Sequence, residues 1–306
     1  QYDGYSSNSW ENQLKIEDLF LKHIDKTSFK KHLQKLTERP HVVGSKTNEE
    51  VIRYIGEVMN EAGLDVINYP YDVYLPKHPG SSLIEIVTPS RQVLNQKEDI
   101  ISDDPFTKDS LLWKGWNAFS GSGDVTAEIV YANYGRKEDF ETLKELGVDI
   151  KGKIVIARYG GNFRGYKAKF AEANGAAGLI IYTDPKDSGF TRGLVYPEGP
   201  YYNESTIQRG SLLTTDFTGD PLTPFEPALP LDGKKKIKRL DPKEAQLHTI
   251  PVTPIGYGEA EKILGQMKGV VVPQSWQGGL PFTYRLEGGT SLTVRLKVDQ
   301  KIDFVR

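Results

Sequence analysis

The sequence predicts a mixed α/β chain: helices first, then a β-rich domain built around a barrel or sandwich with flanking helices. Three observations predict it. Apolar residues recur at helical spacing between residues 15 and 62. After residue 79 the pattern changes to short apolar or alternating runs punctuated by Gly and Pro. Between them, GKIVIARYGGNFRGYKAKFAEANGAAGLIIYTDP (residues 152–185) reads as strand, tight turn, helix, strand. Strands and helices interleave without the long regular series of a doubly wound sheet.

Taken in order, residues 1–12 are polar and read as a disordered tether. Ile16, Leu19, Phe20 and Ile24, then Phe29, Leu33 and Leu36, fall on helical faces. Ser28 is a candidate N-cap for the second piece, and Arg39 before Pro40 ends it. A third helix runs over about 48–62 through Val51, Ile55, Val58 and Met59, and Gly63 stops it. GLDVINYPYDVYLP then reads as a long strand interrupted at Pro70. These helices have apolar faces but few strands to receive them, so residues 1–78 look like the front edge of another domain. Next come a strand over 82–88, a polar stretch over 93–101, and a strand within 124–135. A short helix over 137–146 leads to buried strands at 154–157 and 179–182, with a helix over 166–174 between them. Residues 189–226 are loop-rich. IPVTPIG, a helix over 257–267 and the alternating SLTVRLKVD close the chain. No internal repeat is visible.

Composition narrows the function. At 306 residues there is room for one large domain or two ordinary ones. The net charge of −2 sets up no field toward nucleic acid or an anionic membrane. The run KKKIKR (residues 234–239) is short, lacks interleaved aromatics and reads as a solvated loop. Cysteine is absent, which excludes disulfides, thiolate metal sites and a cysteine nucleophile. No apolar run approaches the ~20 residues of a membrane span. The first residue is Gln1, which reads as a processed or truncated start and permits export. His23, His32, His41, His78 and His248 are scattered and form no H-x₃-H or H-E-x-x-H pair. The sequon at Asn203 has meaning only in a eukaryotic secretory protein. With no nucleophile–base pair or paired acid either, the chain reads as the part that holds a substrate, without the part that reacts.

GGNFRG (residues 160–165) is the motif with chemistry in it. It follows a strand and opens a helix, so helix N-terminal amides and the Arg164 guanidinium converge on one point. That arrangement suits a carboxylate or phosphate; a plain surface arginine is the other reading. The glycine pattern is wrong for a dinucleotide fingerprint. The small residues at 175–178 let a helix close on a strand. GDPLTPFEPALP (residues 219–230) is either a rigid surface loop or a source of oxygen ligands for Ca²⁺.

These blocks resemble a known family. ERPHVVGSKTNEEVIRYIGEVMNEAGLDVINYPYDVYLP looks like the opening of the glutamate carboxypeptidase II family, which includes prostate-specific membrane antigen and the transferrin receptor. The 152–185 segment resembles its protease-associated (PA) domain, as do YPEGP, IQRGSLLTTDFTGDPLTP and IPVTPIGYGEAEKIL. The blocks cover about residues 36–306 in the family's order.

The resemblance implies a zinc exopeptidase with two zinc ions, built from a catalytic domain, an inserted PA domain and a dimerisation domain. Residues 1–78 would belong to the catalytic domain, 79–300 to the PA domain, and 301–306 to the return into the catalytic sheet. Zinc ligands and the general base would follow Arg306, leaving this chain without catalytic residues and inactive by itself. Phe163 and Arg164 match a family pair whose arginine clamps the C-terminal carboxylate of the peptide substrate. A second contact, an Asn after QRG in the carboxypeptidases, is Ser211 here. Thr223 matches a calcium ligand, and the family's other PA-domain ligand, a Tyr, falls on Glu226. Implied partners are a peptide with a free C-terminus, the chain's own catalytic domain and a second copy in a homodimer, in a secreted, periplasmic or extracellular setting. Nucleic acid is not implied. A non-enzymatic ectodomain of the transferrin-receptor type is the alternative, and a stand-alone PA binding module a third.

Overall fold

A computed structural model describes residues 4–306. Gln1, Tyr2 and Asp3, the start of the segment read as a tether, lie outside the described residues. The chain divides into two compact units, residues 1–40 and 41–306.

The first unit holds α1 (Ser7–Lys22) and α2 (Lys26–Thr37). The polar opening is therefore helical from Ser7, against the expectation of a tether. The cause is a cap: the Ser6 hydroxyl accepts from the Ser9 N–H at 3.3 Å. The cap of α2 is Asp25 rather than Ser28, because the Asp25 carboxylate accepts from the Thr27 N–H at 2.9 Å. Ser28 lies inside the first turn and donates to the Asp25 carbonyl at 2.7 Å. The apolar faces exist at the expected spacing, yet neither helix has a buried residue; Phe20, Phe29 and Leu33 are all exposed.

The second unit opens with α3 (Lys46–Glu61), capped by Ser45. The stretch expected as a long strand narrows to β1 (Val73–Leu75), paired antiparallel with β11 (Asp303–Val305). The rest of the unit is organised by one seven-stranded sheet. Its strands in chain order are β2 (Ser81–Thr88), β3 (Gln92–Val93), β5 (Gly123–Tyr131), β6 (Ile154–Arg158), β7 (Gly178–Tyr182), β9 (Val252–Ile255) and β10 (Thr293–Asp299). Across the sheet the order is β3-β2-β10-β5-β6-β7-β9. Two strands outside it, β4 (Asn117–Ala118) and β8 (Gly210–Ser211), form a short parallel pair.

The β2, β3, β5 and β10 side of the sheet is antiparallel, whereas β5, β6, β7 and β9 run parallel. Helices α4 (Lys137–Glu145) and α5 (Arg164–Ala173) make the first two parallel crossovers; α6 (Pro185–Ser188) follows β7, and α7 (Tyr257–Leu264) follows β9. The β–α alternation is thus more regular than the sequence suggests, although the mixed α/β class holds. Strands β3 and β9 are open edges, so ladder hydrogen bonds do not close this sheet into the expected barrel.

Burial explains the pattern. Strands β6 and β7 are buried at every position, as parallel strands covered on both faces must be. In β10 only Val294, Leu296 and Val298 are buried, the alternation of a strand with one covered face.

Asp72, just before β1, ties that strand down. It accepts from Arg306 Nε and Nη2, both at 2.9 Å, and from the Leu231 N–H at 2.7 Å. These bonds, that of Arg306 foremost, hold its carboxyl below the ordinary value of 3.8. A depressed acid stabilises the fold above its unfolded pKa and loses that contribution as pH falls through the lowered folded value. Asp72→Asn is therefore expected to flatten the decline in stability below about pH 4, read by urea unfolding at successive pH values. An unchanged acid slope would show that the pairing contributes nothing.

Candidate functional site

Strand β6 ends at Arg158, and the chain turns through Gly160 and Gly161 into α5, with Phe163 at the N-cap and Arg164 as first helical residue. The turn rests on the ring of Tyr134. Gly161 has φ +74°, and a Cβ there would fall 2.8 Å from Tyr134 Cγ. Both conformation and space demand glycine. Gly161→Ala is expected to lower stability by about 1–3 kcal/mol, read as a shifted urea midpoint. An unmoved midpoint would mean that the turn adapts.

Arg164 sits where the sequence placed it, at the start of α5, and the N-cap Phe163 makes no side-chain cap hydrogen bond. The first N–H groups thus keep the partial positive charge of a helix start. The guanidinium carbon lies 5.5 Å from the Phe163 ring centre and 5.7 Å from that of Tyr159. Its flank touches β8: a Cβ on Gly210 would fall 2.5 Å from Arg164 Nη1. Among the described residues Arg164 has no carboxylate within ion-pair distance, and its buried Nε has no hydrogen-bond partner.

The floor beneath it is a small polar network that sequence reasoning missed. Tyr159 Oη donates to the Gln208 carbonyl at 2.9 Å and accepts from Asn117 Nδ2 at 3.1 Å. Asn117 Nδ2 also donates to the Gly210 carbonyl at 3.2 Å. Burial pushes the Tyr159 hydroxyl up to about 12, with Asn117 and Arg164 partly opposing it. Asn117 Oδ1 is buried and unpaired. Two orphaned polar atoms on neighbouring residues are unusual in a folded interior.

The other expected residues divide. Phe163 is 41% exposed, with its ring edge-on to Tyr166 at 6.2 Å. Ser211 follows Gly210 directly; its hydroxyl oxygen accepts from the Leu213 N–H at 3.0 Å, which leaves its proton to donate. Thr223 and Glu226 belong to a different loop. The buried Thr223 hydroxyl donates to Asp220 at 3.3 Å, while Glu226 is exposed. Two donors on one turn fall short of the six to eight oxygens that calcium takes.

The residues present do not fit zinc: among the described residues no group of three or more His, Cys, Asp or Glu is gathered. His248 is instead bonded to Glu172 at 3.2 Å and the Leu212 carbonyl at 3.0 Å. The sequon residue Asn203 folds its amide onto its own turn, accepting from Ser205 and Thr206. No described helix is long and apolar enough to cross a membrane.

Comparison with known proteins bears on the same residues. The PA domain family matches residues 125–215, which include Phe163, Arg164 and Ser211 and exclude Thr223 and Glu226. The chain is 35% identical over 301 residues to a glutamate carboxypeptidase 2 homolog of Caenorhabditis briggsae, covering 93% of this chain and 38% of that protein. It is 32% identical over 299 residues to the aminopeptidase NAALADL1 of Rattus norvegicus, covering 92% of this chain and 38% of that protein. A solved zinc aminopeptidase from Bacillus subtilis aligns at 16% identity with a TM-score of 0.38, over 90% of this chain and 44% of its own. The chain thus spans little more than a third of the curated relatives that it matches. It carries a PA domain and is homologous, along most of its length, to part of the glutamate carboxypeptidase 2 homologs and the NAALADL1 aminopeptidases.

Proposed function

We propose that this chain is the substrate-recognising portion of a zinc-dependent exopeptidase, and that Arg164 grips the free C-terminal carboxylate of a peptide. One observation carries the reading: a guanidinium with a buried, unpaired Nε and no acidic partner among the described residues, set at a helix start whose N-cap Phe163 makes no side-chain cap hydrogen bond. A buried charged donor left without a partner is costly. A carboxylate offers two oxygens to the planar fork and is favoured by the helix end. Phe163 supplies an apolar wall, and the Ser211 hydroxyl proton a further donor.

On this reading the residues that would hold two zinc ions, and with them the activation of water, belong to other parts of the polypeptide. A calcium near Thr223 and Glu226 draws most of its ligands from those parts too. The whole protein works as a homodimer outside the cytoplasm. A transferrin-receptor-like role gives the unpaired guanidinium nothing to hold. The NAALADL1 relatives raise a second reading, since they are named aminopeptidases. There, Arg164 would reach the far end of short peptides only.

The test is cleavage by the full-length, zinc-loaded protein of dipeptides and longer peptides, each with a free or an amidated C-terminus. Amidation is expected to slow cleavage at every length for a carboxypeptidase, and of dipeptides alone for an aminopeptidase. Equal rates for free and amidated substrates at all lengths would overturn the clamp.

A further inference from the structure

The turn that presents Arg164 is held from beneath by one buried amine. Lys167 lies one turn into α5 with no exposed surface. Its Nζ donates to the Tyr134 carbonyl at 2.5 Å, the Gly160 carbonyl at 2.7 Å and Asn162 Oδ1 at 2.7 Å. Two of these oxygens belong to the GGNFRG turn. The third belongs to the residue whose ring underlies that turn. Three N–H donors exist only on the ammonium; a neutral amine has two and leaves one oxygen unpaired.

Among the described residues no carboxylate is bonded to Nζ. The charged groups that face it are Asp139 and Arg136 at the start of α4, Asp187 on α6, and Arg158 at the end of β6. They are paired among themselves, Arg136 with Asp139 at 3.4 Å and Arg158 with Asp187 at 3.5 Å. Lys167 is thus held by three neutral oxygens within a nearly balanced field.

We propose that Lys167 is the positioning residue of the carboxylate clamp: as an ammonium it ties Gly160 and Asn162 to Tyr134 and so fixes the turn from which Arg164 projects. Only the functional consequence rests on the Arg164 reading; the tie stands on its own geometry. Burial lowers the Lys167 pKa to about 7, with Asp139 opposing. The ammonium is therefore the main form at pH 6, where the three bonds are tested.

The experiment is amide hydrogen exchange on this chain at pH 6, with β10 amides as the reference for global folding. The Asn162 and Tyr166 amides, which donate to the Gly160 and Phe163 carbonyls, are expected to lose protection roughly tenfold or more in Lys167→Met, while β10 does not change. Asn162→Ala guards against misfolding of that variant: it removes one acceptor, keeps the amine and should lower Tyr166 protection by less. Arg164→Ala should keep the wild-type protection. Wild-type protection in Lys167→Met, or of Tyr166 in Asn162→Ala, overturns the proposal. In the full-length protein Lys167→Met should raise KM for a free-carboxylate peptide about tenfold with kcat nearly unchanged. If Arg164→Ala leaves cleavage intact while the exchange results hold, the clamp reading falls and the tie remains.

Discussion

Arg164→Ala in the full-length, zinc-loaded protein is expected to lower kcat/KM for peptides with a free C-terminal carboxylate by a factor of roughly 30 to several thousand. That range corresponds to about 2–5 kcal/mol, the loss typical of truncating one partner of a buried charge pair. The effect should fall mainly on KM, because the carboxylate carries its charge in the ground state as well as in the transition state. Arg164→Lys should not restore the rate. An ammonium is a point charge, cannot make two parallel bonds, and loses contact with the Phe163 and Tyr159 rings. An amidated peptide serves as the internal control: the wild type and Arg164→Ala should cleave it alike. The fold itself should be little affected. Arg164 makes no ion pair among the described residues and its Nε bonds nothing, so the stability change should stay under about 1 kcal/mol. Indistinguishable rates on the free-carboxylate peptide would remove the central assignment.

The parts legible in the sequence are those with a local signal. Strands β6 and β7 stand out as unbroken apolar runs because both faces are covered, and β10 alternates because one is not. Arg164 could be placed because the turn, the helix start and the arginine are contiguous. The floor of the site could not. Asn117 and Gly210 are 93 positions apart and meet through β4 and β8, two strands of two residues each, too short for any periodicity. Lys167 was hidden for another reason: lysine is almost never fully buried, so YKAKFAEA reads as a helix with its lysines outward. Between residues 64 and 72 the stretch LDVINYPYD read as part of a long strand interrupted at Pro70, but a strand needs a ladder partner. Strand β11 provides one only to Val73, Tyr74 and Leu75. The start of α1 was missed because its signal is a single capping serine rather than an apolar face.

Asp184→Ala is expected to be among the most damaging single changes outside the site, at about 3–5 kcal/mol. Asp184 has no exposed surface and closes the end of β7. Its Oδ2 accepts from the Tyr182 hydroxyl at 2.9 Å and the Tyr284 hydroxyl at 2.5 Å. Its Oδ1 accepts from the Lys186 N–H at 2.9 Å, capping α6, and from the Gly279 N–H at 2.7 Å. One carboxylate thereby serves four donors, two from within its own turn and two from the 279–284 segment. Burial foremost, with the Asp184 charge adding to it, pushes both tyrosine hydroxyls well above their ordinary pKa. They remain donors through the alkaline range. Truncation to alanine strands two buried hydroxyls and frees two N–H groups at once. The penalties overlap, so the total falls below the sum of four separate losses. Asp184→Asn should be intermediate, since its amide keeps one oxygen for the backbone donors but presents N–H to hydroxyls that need an acceptor. Urea unfolding reads both variants, with an unchanged m-value confirming that only stability has moved. A loss under about 1 kcal/mol for the alanine variant would mean that the four donors find other acceptors, and that the carboxylate does not anchor the 279–284 segment to β7.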